Sequence, residues 1–308
     1  MAKKADVTKL DDEIYSKSKV TGMKLIIAFI FFTIIFVISN LSLGQKALDQ
    51  LEKSIQGTPS CPFTHKGLEI SWFLPKILIK APSLPSSCFN RFKGSPLKLE
   101  TIPISFGIPS VYPPGLKLHS EIKPLRGKSK INIYPIIGFG THFLKITETI
   151  IDEQLIAEIT GKNLVEGIIE TEANLQFDNG GLLAGDILLK SKNFQIKSQT
   201  IEGLTLPQLR LNHLQLKANL NKTKLNILSL IIGDDQAPLY LGLSGNIRLN
   251  KYNMGSSKIE LEGDIRFSPD LIAAFPAINL FLSGKESQGG LYRIQISGSL
   301  NSPIPRIL

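Results

Sequence analysis

The 308-residue chain is poor in the side chains on which most catalysis depends, with two Cys, four His, one Trp and only 20% charged residues. Two cysteines exclude a disulfide-dense miniprotein, and four scattered histidines without a paired-cysteine motif leave little material for a structural zinc site. No glycine loop ending in Gly-Lys-Ser/Thr is present to cradle a phosphate, and Gly138-Phe139-Gly140 lacks the third glycine and the helix of a dinucleotide site. Leu243-Ser244-Gly245 falls one residue short of nucleophile-elbow spacing. His65, His119, His142 and His213 stand in unrelated contexts, with no carboxylate and nucleophile to complete a catalytic group. Gly233-Asp234-Asp235 reads as a hairpin turn rather than a pair of metal ligands. These absences argue against an enzyme and against a bound metal or cofactor.

Long apolar runs are absent too, with one exception. Residues 25–43 read LIIAFIFFTIIFVISNLSL, nineteen positions without a charge. At ~1.5 Å per residue the run covers roughly 28 Å, the thickness of a bilayer's hydrocarbon core. It is longer than the ~7–15 apolar residues of a cleaved signal, and Ser39-Asn40-Leu41 is a poor cleavage context, so a retained transmembrane helix is the expectation and a cleaved signal its rival. Six lysines against four acids precede the run, and two of each follow it over residues 45–60. The positive-inside rule then leaves the N-terminus cytoplasmic and exports the rest. The expected layout is a cytoplasmic tail over 1–24, a membrane helix over 25–43, a linker over 44–60 and an exported β-rich domain over 61–308. In that oxidising setting the two thiols, Cys61 and Cys88, are expected to form a disulfide, closing a loop worth roughly 3–4 kcal/mol through chain entropy. A metal site built from Cys61, His65, Cys88 and His119 is the alternative, with unremarkable spacing.

Proline divides the exported part. Twelve of the 18 prolines lie between Pro59 and Pro135, which predicts edge strands, extended segments and turns over 61–145, since central strands tolerate few missing donors. The same stretch holds twelve Lys or Arg against three Glu, a net +9, whereas residues 146–308 are at net −2. A charge excess alone reads as a solvated face; the sharper reading is contact with anionic headgroups or an acidic partner. Nucleic acid is disfavoured by the exported position and the lack of a recognised binding module.

From about Val165 the sequence alternates with period two, as in Leu214 to Leu220, Leu239 to Leu243 and Ile259 to Glu262, which predicts antiparallel strands buried on one face, with Leu214, Leu216, Leu241, Leu243, Leu261 and Ile265 sharing it. The octapeptides LSGNIRLN (Leu243–Asn250) and LEGDIRFS (Leu261–Ser268) nearly repeat, each with an internal glycine that lets a sheet bend or bulge. The predicted fold is mainly β: a curved antiparallel meander, groove-like or solenoid-like, over 146–308 with short connecting helices. Two such helices are expected, over Thr147 to Thr160 with Gly161 as C-cap, and from the N-cap Ser268 through Pro269 to Phe275.

Taken together, the Lys-rich start, the single anchor, Ser71-Trp72-Phe73-Leu74-Pro75, strands of the form Leu-x-Gly-x-Ile-x-Leu and the closing YRIQISGSLNSP from Tyr292 to Pro303 resemble GspN, protein N of the Gram-negative type II secretion system. The Gly-x-Leu-x-x-Pro ending is also similar to AsmA-like envelope proteins. The resemblance implies an inner-membrane protein with its bulk in the periplasm, no enzymatic residues, and other type II secretion components as partners. The AsmA-like alternative implies a β-groove that handles phospholipid.

Overall fold

The computed structural model describes residues 26–27, 29–34, 52, 61–71, 76–89, 95–138, 140–178, 181–201, 204–250, 253–275, 278–279, 282–285, 287 and 289–308. The expected tail 1–24, most of the expected anchor 25–43, the linker 44–60 apart from Glu52, and Trp72 to Pro75 lie outside them. Residues 26–27 and 29–34 are helical and exposed. The chain divides into two units, Met1–Gly57 and Thr58–Leu308.

The second unit is mainly β. Its strands are β1 (Gly67–Ser71), β2 (Lys76–Lys80), β3 (Ser83–Leu84), β4 (Leu97–Lys98), β5 (Ile102–Phe106), β6 (Gly115–Ile122), β7 (Lys130–Gly138) and β8 (Thr141–Ile151). After the helix Glu153–Thr160 come β9 (Val165–Glu166), β10 (Ile169–Asp178), β11 (Gly181–Ile196), β12 (Gln199–Ile201), β13 (Leu204–Leu206), β14 (Leu209–Asn221), β15 (Lys224–Ile232), β16 (Leu239–Arg248) and β17 (Lys258–Phe267). The helix Pro269–Ala274 precedes β18 (Tyr292–Ser299) and β19 (Ser302–Ile307). One antiparallel sheet of 15 strands runs β1-β2-β5-β6-β7-β8-β10-β11-β14-β15-β16-β17-β18-β19, with β9 beside β11; β3–β4 and β12–β13 are separate pairs.

Register makes this sheet two-faced, because residues opposite one another across a ladder point to the same side. One row crosses the whole path in order: Ile70, Ile77, Ile104, Ser120, Ile133, Ile146, Ala173, Ile187, Ala218, Ile227, Gly245, Leu261, Ile296 and Pro305. Only Ser120 in it is polar. On the other face Asn174, Asp186, Asn219, Asn226, Asn246, Glu260 and Ser297 stand in one row over seven strands. The period-two alternation therefore translates directly into an apolar and a polar surface. The six residues named from alternation share the apolar face: Leu214, Ile232, Leu241 and Ile265 lie in one row, Leu216, Leu230 and Leu243 in the next, and Leu261 in the long row. Over β14–β18 that face is a packed core of Ala218, Ile227, Leu243, Ile259, Leu261, Ile265 and Ile294. Full burial of each large aliphatic side chain contributes roughly 1.5–3 kcal/mol.

The two octapeptides become neighbouring strands, and their glycines are required. Gly245 faces Leu261 and Gly263 faces Leu243. A Cβ on Gly263 would stand 1.8 Å from the Gly242 carbonyl oxygen, and one on Gly245 2.3 Å from that of Glu260. The backbones close over the vacant positions, so the leucines opposite keep their place in the core.

Two features depart from the sequence reading. Thr147 to Ile151 are not helical: they continue β8 past a bulge at Glu148 (φ 49°), paired on both sides with β7 and β10. The β-branched Thr147, Thr149, Ile150 and Ile151 suit that double ladder, and the helix begins only where Asp152 supplies an N-cap, ending as expected at Gly161 in the left-handed region. Second, prolines do enter interior strands. Pro135 lies in β7 between β6 and β8, and the β6–β7 ladder is interrupted there, from Lys117↔Ile136 to Ser120↔Ile133, without a change of register. Pro103 in β5 opposes Leu78 on one side, while the ladder to β6 begins only at Ile104. By contrast, β19 carries Pro303 and Pro305 on an edge, where prolines are tolerated. Leu308 N–H donates to Arg293 O, so the even-numbered residues face β18 and both prolines occupy outward-facing positions.

Candidate functional site

The structure joins Cys61 to Cys88, with Cα atoms 4.7 Å apart. The bond nests outside the Thr64↔Ser83 bridge and the Gly67↔Lys80 pair, so it prolongs the β1–β2 hairpin backwards. His65 and His119 are not gathered round the sulfurs: His65 packs at 6.2 Å against Phe63, and His119 stacks at 4.6 Å on Tyr134. Asp234 orders the β15–β16 turn, accepting from Asn212 Nδ2 at 3.1 Å and Gln236 N–H at 3.0 Å. The Asn212 bond lowers its pKa, against the desolvation that would raise it. Arg266 holds the same turn through the carbonyls of Asp234 and Asp235 and lies 5.6 Å from the Tyr240 ring centre. Ser244 is exposed on the polar face opposite Glu262, in no nucleophilic setting. Among the described residues no group of three or more His, Cys, Asp or Glu is placed to hold a metal ion.

One well-partnered buried residue does not stand out in the sequence. Asp152 is buried, and its carboxylate accepts from Lys128 N–H, from Ser129 Oγ at 2.7 Å and from Leu155 N–H at 3.0 Å, while its own N–H donates to Ser129 Oγ at 2.8 Å. It thereby caps the helix Glu153–Thr160 and ties down the β6–β7 loop. Burial would raise its pKa; the donated hydrogen bonds outweigh that and lower it. The signal was an aspartate three residues before a helical leucine, hidden because the expected helix began earlier.

The basic segment contains two ion-pair groups, Lys80 with Glu69 and a second centred on Glu121. Glu121 accepts from Lys123 Nζ at 2.6 Å and Lys130 Nζ at 2.7 Å, which brings its pKa from 4.5 to about 2. Lys117 and Lys145 instead border a cavity of about 430 Å³ on the polar face over β6–β8, floored by Tyr134 and Ile136 and walled by His119 and Thr147. A second cavity of about 370 Å³ shares Tyr134, Ile136 and Lys145 and runs on over β10, β11 and β14 to Asp186 and Asn219. Two amines over an aromatic and aliphatic floor make a place for an amphipathic anion, with no nucleophile and base set for chemistry.

On the opposite face the apolar surface is unevenly covered. Where β14–β18 form a closed core, Phe106, Leu116 and Ile137 at the ends of β5–β7 are 37%, 39% and 49% exposed. Ser120 Oγ, His142 Nδ1 and Thr171 Oγ1 are buried on that face without a hydrogen-bond partner. Among the described residues no helix is long and apolar enough to cross a membrane. Comparison with protein families, curated proteins and solved structures yields no match.

Proposed function

We propose that the chain is a non-enzymatic, single-pass component of a type II secretion machinery of the GspN kind, held in the inner membrane by residues 25–43 and acting through its periplasmic domain, 61–308, in assembly or protein contact. The observation that carries this reading is the single row across fourteen strands, in sequence order, that is apolar except at Ser120, with a polar row on the other face over seven of them. Such a sheet is a scaffold with two chemically distinct surfaces, and the Leu-x-Gly-x-Ile strands on which the resemblance rests are its best-packed part. Deleting the gene should lower release of type II substrates to the medium while leaving other exported proteins unchanged. Photo-crosslinking from Ser244 on the exposed polar face should capture secretion components. Unchanged secretion with no such crosslink would overturn the proposal.

A second reading, an AsmA-like envelope protein that shelters phospholipid on the β-groove, is favoured by one observation, the half-open apolar face at β5–β7. Stoichiometric phospholipid in mass spectra of the purified chain, together with intact secretion, would select it.

A further inference from the structure

Among the described residues of the second unit, the most exposed apolar side chains are concentrated in one loop. Between β5 and β6 the chain reads GIPSVYPP from Gly107 to Pro114, and Ile108, Val111 and Tyr112 are 86%, 91% and 93% exposed. The loop is nonetheless ordered from within: Ser110 and Gly115 exchange N–H to carbonyl hydrogen bonds at 2.7 and 3.1 Å, and Gly107 N–H donates to Lys117 O at 2.8 Å. Pro109, Pro113 and Pro114 narrow its backbone freedom further. At its base stand the half-exposed Phe106, Leu116 and Ile137, so the apolar face of the sheet runs out into the tip.

Along this stretch of the chain the charge is almost all of one sign, with carboxylates of other strands at Asp178, opposite Thr141, and at Asp186, at the far end of the second cavity. Residues 102–147 contain six Lys or Arg and a single carboxylate, Glu121, which is occupied by Lys123 and Lys130. Lys117 and Lys145 are exposed on the polar face beside the loop and border the cavity that Gly107 also lines. An isolated exposed aliphatic residue needs no explanation, but a pre-ordered apolar tip backed by lysines does. A side chain exposed to that degree stands out from the surface. Its complement is a medium that yields to it, which a bilayer interface does, with Tyr112 at headgroup depth and anionic phosphates for the lysines.

We propose that residues 107–114 are a membrane-docking loop: Ile108, Val111 and Tyr112 enter the interface of an anionic bilayer while Lys117 and Lys145 meet its phosphate headgroups. The basic character of this stretch then has a task, which a solvated face would not.

The full chain tests this in nanodiscs. A nitroxide is placed by Val111→Cys, with Tyr112→Cys as a second site and Ser244→Cys as the aqueous control; the bonded Cys61 and Cys88 take no label. In discs containing phosphatidylglycerol, the labels at 111 and 112 should collide with oxygen more than with a water-soluble nickel chelate, and the label at 244 the reverse. The pair Lys117→Glu and Lys145→Glu, or discs of phosphatidylcholine alone, should move the loop labels towards water. Labels at 111 and 112 that behave like the control overturn the proposal. So do labels shielded from both reagents with spin broadening that unlabelled chain dilutes away, which would assign the loop to a second copy. Insertion indifferent to both lysines and phosphatidylglycerol overturns the headgroup contact. Co-elution of chain with disc reports on the anchor separately, so failure of the anchored reading and failure of the loop are told apart.

Discussion

Strands β5–β8 and β14–β18 belong to one sheet and share one register, yet their common face is finished differently. Over β14–β18, glycines in the two octapeptides let adjacent backbones close and aliphatic rows fill the space between. Over β5–β8, prolines interrupt ladders, two polar atoms, Ser120 Oγ and His142 Nδ1, are buried without partners, and large apolar residues are left half in water. What holds the sheet from β1 to β8 is specific bonding: the Cys61–Cys88 disulfide behind the β1–β2 hairpin, Asp152 under the β6–β7 loop, and Glu121 between two lysines. The contrast teaches that alternation fixes which way a side chain points, while packing over that side is settled separately and can be withheld where a surface is needed.

The sharpest way to break the comparison is to make one change on the same face in both regions. Leu261→Asp places a carboxylate in the closed core and should cost about 4 kcal/mol or more, abolishing the cooperative unfolding transition at ordinary temperature. Ile137→Asp, on the same face but half exposed, should cost under about 1 kcal/mol. Equal losses in urea titrations would mean that the two regions are finished alike.

Next in size is the disulfide. Reduction, or the Cys61→Ser and Cys88→Ser pair, should lower stability by about 3 kcal/mol, and hydrogen exchange should show the loss concentrated in β1, β2 and β5. Thiol labelling of unreduced, denatured chain should find no free cysteine. Protection lost first in β14–β18 would contradict this division of labour between the two regions.

Asp152 should rank third, with Asp152→Ala costing about 2 kcal/mol through a lost cap and orphaned donors. Its pH signature has a definite sign. The folded-state pKa is lowered, so the stabilisation is complete above the unfolded value and is lost as pH falls through the folded one. Glu121 adds the same sign between 4.5 and about 2. Asp152→Asn should therefore flatten the acid limb of stability against pH while leaving neutral-pH unfolding cooperative. An acid limb identical to that of the parent chain would remove Asp152 from this role. The smallest effect belongs to the polar face: Glu260→Lys, exposed opposite Asn246 and Ser297, should shift stability by less than about 0.5 kcal/mol.

What could be read beforehand depends on the range of the interactions involved. Alternation at Leu214 to Leu220 and Ile259 to Glu262 revealed strands and their shared face because a period of two leaves no freedom in which side is covered. Ser268, Pro269 and Gly161 announced helix ends because capping is local, within three or four residues. Thr147 to Ile151 misled for the opposite reason. Their identity as strand is decided by β7 and β10 on either side, and β10 comes later in the sequence. Pro135 misled likewise: a missing donor matters only at the point of the ladder it reaches, and β6 is locally unpaired there. Asp152 was invisible because its partners Lys128 and Ser129 lie over twenty residues earlier, and the cavity beside Lys117 and Lys145 exists only once β6, β7 and β8 are adjacent.

The final strand has a consequence for how large the sheet can become. A fifteenth step along the path would need donors on the outer side of β19, and two of its outward-facing positions are Pro303 and Pro305, which have no N–H to give. Strand addition on that flank is thus blocked by composition rather than by a covering element. The same two exposed residues remove donors from that flank without being buried, so the edge is guarded against a neighbouring molecule's strand by its own backbone chemistry.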